Sequence, residues 1–497
     1  MSGSSPLSSR RSTVPRPTAE QAAIIEAVGT GQPLRVLALA GTGKTTTLQL
    51  ASQALPGRRV LYLAFNRSVA EEARARFPHH VEARTAHSLA FAAVGRAYGA
   101  RLVSSPFAIR QAWPRWADAR LRAQGLDRAQ GLAAVTQTLT AFLHTTATQP
   151  GPAHVPPVAF AGRDPADRAA AVEAVVDLTR YFWRQAQDPT STCPITHDVY
   201  LKRWQLSRPA LPYDVILLDE AQDADPVLLD VLRHQSAQLV LVGDPHQAIY
   251  GWRGARDALA GWRGATLPLT HSWRFGPEIA EAANAVLTRL GAPYPLVGAG
   301  PGSPPHGPAA YIARTTLGLL GEAVRVMERR TPVALLGGAE PVAGLLEVAH
   351  TLQGGRVPRH PDLALFEDWA DLQAASETPA GAEYRPLVDC IQQQRDRVPR
   401  VVRQLRTETV EPPAAEVVLT TCHKAKGREW STVTCAGDFR WPRYAGDREE
   451  AHLLYVALTR ARHVLHADAA RRVIERGRPL GELPVRPPRR GLNPHNR

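Results

Sequence analysis

The sequence predicts an α/β fold built on doubly wound parallel sheets, and three features carry that prediction. The apolar run Val36 to Ala40 leads into Gly41-Thr-Gly-Lys44-Thr45 and then a helical Thr46-Thr-Leu-Gln-Leu-Ala-Ser. Two later apolar runs, Tyr213 to Leu218 and Ser236 to Gly243, stop at the carboxylates Asp219-Glu220 and Asp244. A sparser alternation of strands and helices follows Leu269. Such alternation gives parallel strands, with ligand sites just beyond their carboxyl ends.

In chain order, residues 1–17 are Ser-, Pro- and Arg-rich, lack the apolar stretch of a secretion signal, and read as a disordered tail. Thr18-Ala-Glu-Gln21 has the spacing of a capping box that opens a helix. Gln21 can reach back to the cap or turn its two-sided amide toward a nucleotide base. The turn Ala40-Gly41-Thr42-Gly43-Lys44-Thr45 has the make-up of a phosphate cradle. Backbone N–H groups and a helix N-terminus face the anion, a Lys reaches the outer phosphates, and a hydroxyl holds Mg²⁺. The plainer alternative is a strand-turn-helix with a surface Lys. Arg59 to Phe65 reads as a second strand ending at Asn66-Arg67, with a helix over Val69 to Phe77. A short strand then leads to Thr85-Ala-His87-Ser88.

Residues 96–205 turn helical, with Arg-rich faces, Pro-rich breaks near 149–157, and Trp113, Trp116, Trp183 and Trp204 read as core anchors. In the second half we expect strands at Ala310–Arg314, Pro332–Leu336 and Glu416–Thr421, and a helix over 317–329. Residues 338–411 form a charged, mostly helical insertion, and the final helix spans Glu449–Arg462. The partition that follows is 18–95 with 206–268 as a first unit and 96–205 as its helical insertion. Residues 269–337 with 412–475 form a second unit, 338–411 is a reduced insertion in it, and 476–497 is a basic disordered tail.

The formal net charge of +13 and a pI near 10 point to a polyanionic partner, with Arg-rich composition as the alternative source of the surplus. The 4 cysteines have neither C-x-x-C nor zinc spacing, which suits reduced thiols and a cytoplasmic location. No run is apolar enough to span a membrane.

Adjacent acids at a strand end need a reason. Asp219 beside Thr45 can hold Mg²⁺, and Glu220 can deprotonate an attacking water. N-capping by Asp223 with solvated acids nearby is the alternative. Hydrolysis of a γ-phosphate also calls for further cations, and Arg274 and Arg460 in the second half are the candidates.

The ordered set Thr18–Gln21, Ala40–Thr45, Ala64-Phe-Asn-Arg67, Thr85–Ser88, Asp219-Glu-Ala-Gln-Asp223, Val242–Ala255, Ser272-Trp-Arg274, Thr421–Glu429 and Leu454–Ala461 resembles the superfamily 1A DNA helicases of the UvrD/Rep/PcrA type. Asn66-Arg-Ser-Val-Ala, Thr85-Ala-His-Ser-Leu-Ala and His197–Trp204 most resemble the F-box DNA helicase branch, here without an F-box. The match covers Thr18 to about Leu465.

The resemblance implies two RecA-like domains with ATP and Mg²⁺ between them and 3′→5′ stepping on single-stranded DNA. It places Gln21 and Trp273 at adenine, with Thr46 on the base's second face, and the loop Ala40 to Thr45 on the phosphates. Glu429 falls at the ribose, Thr45 and Asp219 at the metal, and Lys44, Glu220, Gln247, Arg274 and Arg460 in the hydrolysis set. Phe65, Asn66, Arg67, His87, Tyr250, Trp252, Arg253, Thr421 and His423 fall on single-strand-contacting motifs. Tyr250 and Trp252 suit sequence-tolerant stacking, burial between domains being their alternative. The implied partners are single-stranded DNA and tailed or forked duplexes, with a single-strand-binding protein or a recombinase beyond them; a monomer is the working expectation, which the sequence itself leaves open.

The chain departs from the family at Ala38 (first loop Gly), Thr46 (Arg on adenine), Ala64 (a stacking Phe) and Ala451-His452 (an Arg pair), and by the short second insertion. The leading expectation is an ATP-driven DNA translocase and helicase in repair or recombination control. A translocase that strips recombinase filaments but unwinds poorly, and a nucleotide-gated single-strand-binding module with negligible turnover, are the alternatives. The intact hydrolysis set argues against the last.

Overall fold

The structure, a computed structural model, describes residues 16–156, 160, 163–251, 257–300, 307–356, 363, 366–378 and 382–484. Its first sheet contains β1 (Leu34–Ala38), β2 (Val60–Leu63), β3 (Val81–Arg84), β4 (Val215–Leu218), β5 (Gln238–Gly243) and β6 (Ala265–Leu269), in the order β3-β2-β4-β5-β1-β6. Every pairing is parallel, with Val36 of β1 opposite Val242 on one side and Leu267 on the other. All residues of β2, β4 and β5 are buried, because helices cover both faces of a parallel sheet. The carboxyl ends of all six strands therefore share one rim.

A short ladder, β7 (His271–Ser272) with β8 (Val297–Gly298), links to the second sheet. That sheet joins β9 (Ala309–Ala313), β10 (Val333–Leu335), β11 (Val417–Thr421), β12 (Trp430–Cys435) and β13 (Ala461–His466), all parallel, in the order β10-β11-β9-β12-β13. Two parallel sheets in one α/β chain match the expected fold class.

Several local expectations change. The helix expected over Glu449–Arg462 ends at Leu458, capped by Thr459, and residues from Ala461 turn into β13. Among the described residues the final α-helix is Asp468–Arg476, and residues 477–484, expected in a disordered tail, pack back on the fold, with Leu480 buried and Trp441 Nε1 donating to Arg478 O at 2.9 Å. Strands β6 and β12 and the helix Pro277–Leu290 had no clear alternation to announce them.

The helices of 96–205 pack around Phe142, Trp183 and Trp204 and share that core with Val227 and Val231 of the first unit. Trp113 is half-buried and donates to Asp118, whereas Trp116 is 46% exposed and anchors no core. The helices Glu340–Gln353, Arg385–Gln394 and Val398–Thr407 bury Leu345, Leu346, Ile391, Val401 and Leu405 in one cluster with Leu335 of β10 and Leu419 of β11. The described helices of 338–411 thus pack as a layer on the second sheet.

Candidate functional site

The rim of the first sheet opens onto a cleft of about 1290 Å³ shared with the second half. On its floor, β1 gives way to the turn Gly41–Gly43. Gly41 and Gly43 hold φ of +74° and +77°, a region that favours glycine. A Cβ on Gly41 would stand 2.4 Å from Ser272 Oγ and 2.7 Å from Arg274 Cβ, so the turn needs a bare backbone to approach that segment. Helix Lys44–Gln53 starts directly after it and aims its first N–H groups into the turn.

Lys44 Nζ lies 3.8 Å from Glu220 Oε1. Thr45 Oγ1 donates to Asp219 Oδ2 at 3.3 Å, Tyr62 OH donates to the same oxygen at 2.6 Å, and Glu220 N donates to Oδ1 at 2.9 Å. Burial, then the charge of Glu220, pushes the Asp219 carboxyl above its usual range. Burial acts on Glu220 too, but Lys44 and then Lys426 outweigh it and pull that carboxyl down to about 2. Glu220 is therefore ionised, while at Asp219 the charge of Lys44 only partly offsets burial and the neighbouring carboxylate. A dication between Asp219 and Thr45 fits that imbalance. Among the described residues no three His, Cys, Asp or Glu side chains converge on one point. The protein would give Mg²⁺ few ligands and leave the rest to phosphates and water, its common mode. Glu220 sits at φ +52°, a strained value for a side-chain residue, and Gln222 Nε2 bonds its Oε2 at 2.5 Å.

Facing this rim, Arg460 is 1% exposed and its Nη2 donates to Gln247 Oε1 at 3.3 Å. Burial, then the nearby Arg274, lowers its pKa to about 9, which leaves the guanidinium charged at neutral pH. Gln247 Nε2 donates to Asp244 Oδ2 at 2.7 Å. Arg274 lines the cleft, with Nε donating to Glu429 Oε2 at 2.7 Å and Nη1 to Thr459 O at 2.9 Å. Glu429 is also 3.6 Å from Arg462. Both candidate arginines and Glu429 thus meet the phosphate turn in one cavity.

Beside the turn, Gln21 Nε2 and Trp273 Cδ1 both come within 3.8 Å of the point where a Gly43 Cβ would stand, and Thr46 Cβ within 4.0 Å; Trp273 and Thr46 line the cleft, whereas Gln21 is buried behind it. Trp273 is 50% exposed and its N–H bonds Gly41 O at 2.9 Å. Gln21 closes the capping box through Oε1 and donates from Nε2 to Thr47 Oγ1 at 3.1 Å, so the capping role is realised.

The residues expected on DNA divide. Phe65, 47% exposed, stacks on Tyr250 with ring centres 5.9 Å apart and planes 15° apart. Tyr250 OH donates to His423 O at 3.3 Å, and Thr421, His423 and Asn66 line the same cleft. Asn66 spends its carbonyl on Val69 N at 2.9 Å, capping helix Arg67–Arg76. Arg67 pairs with Glu71 at 2.7 Å and does not line the cleft. Nor does His87: its Nε2 is 3.4 Å from Asp198 in the helical insertion. Trp252 and Arg253 lie outside the described residues.

Sequence reading missed two cross-connections. Lys426 Nζ forms a buried ion pair with Asp223 and donates to Gln247 O at 2.5 Å. Tyr455 OH donates to Asp244 Oδ2 at 3.1 Å and accepts from Ala40 N at 3.1 Å, fixing the start of the phosphate turn to the second half. Lys426 lies inside the quoted stretch Thr421–Glu429 and was open to suspicion. Nothing local to Tyr455 announces its partners.

A family model described as an AAA domain matches residues 20–253, and one described as the UvrD-like helicase C-terminal domain matches 416–467. The chain is 30% identical to F-box DNA helicase protein 1 of Schizosaccharomyces pombe, over 90% of this chain and 56% of that protein. It is 30% identical to F-box DNA helicase 1 of Gallus gallus over 88% and 47%, and 26% identical to ATP-dependent DNA helicase UvrD2 of Mycobacterium tuberculosis over 86% and 75%. It spans about half the length of the two F-box relatives.

Proposed function

Because the chain belongs to the UvrD-type superfamily 1 helicases, we propose that it is an ATP-hydrolysing motor that steps 3′→5′ on single-stranded DNA and serves repair or recombination control. The observation that carries this reading is the single cleft in which Lys44 and Glu220 face Arg460, Gln247 and Arg274, with the Phe65–Tyr250 stack in the same cavity. Backbone N–H groups of the turn and Lys44 hold the phosphate chain. Glu220, ionised, takes the proton of the attacking water. Arg460 and Arg274 meet the charge that grows on the transferred oxygens, Arg274 releasing Glu429 to do so. Mg²⁺, when bound beside Thr45 and Asp219, neutralises phosphate charge. Because one nucleotide touches both halves, its binding draws them together and its hydrolysis lets them part.

The test is ATPase with and without single-stranded DNA, followed by unwinding of 3′- and 5′-tailed duplexes. Expected are DNA-stimulated turnover and a preference for the 3′ tail; turnover indifferent to DNA would sink the motor reading. A second reading, a motor that strips proteins from single strands but unwinds weakly, is favoured by the merger of residues 338–411 into the second core. Strand displacement and protein displacement measured on one DNA separate the two.

A further inference from the structure

A second groove, about 730 Å³, runs along the free edge of the first sheet, outside the cleft. It is lined by β3, by Arg74 and His79 on one side, and by Ser88, Phe91 and Arg96 on the other. Three arginines, Arg74, Arg84 and Arg96, and His79 line it, against one carboxylate, Glu82. That carboxylate is already satisfied, by Arg84 Nη1 at 2.9 Å and Tyr213 OH at 2.6 Å. Arg96 and His79 are exposed and have no ion-pair partner among the described residues.

An edge strand invites another strand, but Arg74 Nε occupies the Ala83 carbonyl at 3.1 Å and blocks a β ladder there. What remains is a polyanion site with a ring beside it: Phe91 is 37% exposed. The groove also adjoins the expected single-strand surface. His87 and Phe91, one helical turn apart, both set their rings edge-on to Tyr200, at 6.0 and 5.6 Å. The helix that bears them follows β3 at the rim where Phe65 follows β2.

We propose that this groove is an accessory site for the phosphodiester backbone of single-stranded DNA that extends past the cleft, with Phe91 offering a face to an unpaired base. The inference rests on the DNA-motor reading. Its test compares binding of oligothymidines of roughly 8 and roughly 20 nucleotides to the full chain and to Arg96→Glu and His79→Ala/Arg96→Ala. Each added phosphate contact contributes about 0.7 to the slope of log affinity against log salt for single strands. In the parent chain the longer DNA should bind more tightly and with a steeper slope. The variants should lose about tenfold on the longer DNA and keep short-DNA affinity, melting temperature and ATPase at saturating DNA. Equal long-DNA binding by parent and variants overturns the site, as does an equal loss on both lengths. So does a groove that holds an acidic peptide but gives no length-dependent DNA effect. Absence of all DNA binding by the parent chain would instead overturn the motor reading.

Discussion

Lys44 and Glu220 sit 3.8 Å apart at the centre of the cleft, so each substitution there reports on chemistry more than on folding. Lys44→Ala is expected to cut DNA-stimulated ATPase by at least about 100-fold, and Glu220→Gln by about 10²- to 10⁴-fold, with DNA affinity largely kept. Ordinary turnover in either variant removes these residues from the reaction. Protonation gives a second handle. Lys44 and Lys426 hold the Glu220 carboxyl well below the usual range, so it cannot set an acid limb. Asp223 is pushed up to about 6 by burial, which Lys426 only partly offsets. Below that pH Asp223 takes up a proton and Lys426 loses the carboxylate that holds it beside Gln247. ATPase is therefore expected to fall as pH drops through about 6, and Asp223→Asn to abolish that limb by fixing the low-pH state at all pH values. A pH–rate profile that is level down to pH values near 4, or the same limb in Asp223→Asn, would count against the assignment.

The helices of residues 340–407 bury leucines and valines against β10 and β11. An inserted lobe can be cut away; a layer of a core cannot, because removal exposes apolar surface worth about 25 cal/mol per Å². Replacing 338–411 by a short flexible linker should therefore give an insoluble or non-cooperatively unfolding protein. A soluble, ATPase-active deletion would show that the segment is separable after all. Residues 338–411 read as a small insertion because the strand pattern resumes at Glu416–Thr421, and the sequence displays their exposed Arg and Glu faces as plainly as their buried stripe. Which sheet that stripe meets is not a local property. Much the same holds for β13: Ala461–His466 pairs with β12, and that pairing ends the helical pattern that begins at Arg448.

Across the whole molecule, the two halves meet through Leu39, Ala40 and Ile249 packed into the second half's core and through buried polar contacts. Lys426 reaches Asp223 across 203 residues of chain, and Tyr455 reaches Ala40 across 415. Tyr455→Phe leaves the Ala40 N–H and one Asp244 contact unmade, at about 1–3 kcal/mol. We expect a lower melting temperature together with weaker nucleotide binding. An effect on stability alone, with nucleotide affinity unchanged, would reduce Tyr455 to a packing residue. By itself the sequence determined the parts that short-range chemistry dictates: buried strands ending in polar residues, the capping box at Thr18–Gln21, and the left-handed glycine turn before Lys44. Those follow from backbone geometry and hydrophobic period over a handful of neighbours. Only the tertiary structure decided that Glu429 pairs with Arg274, that His87 faces the helical insertion, and that Lys426 and Tyr455 lock the halves. Such contacts join distant segments, and their partners are chosen by how the two sheets pack, which no local pattern records.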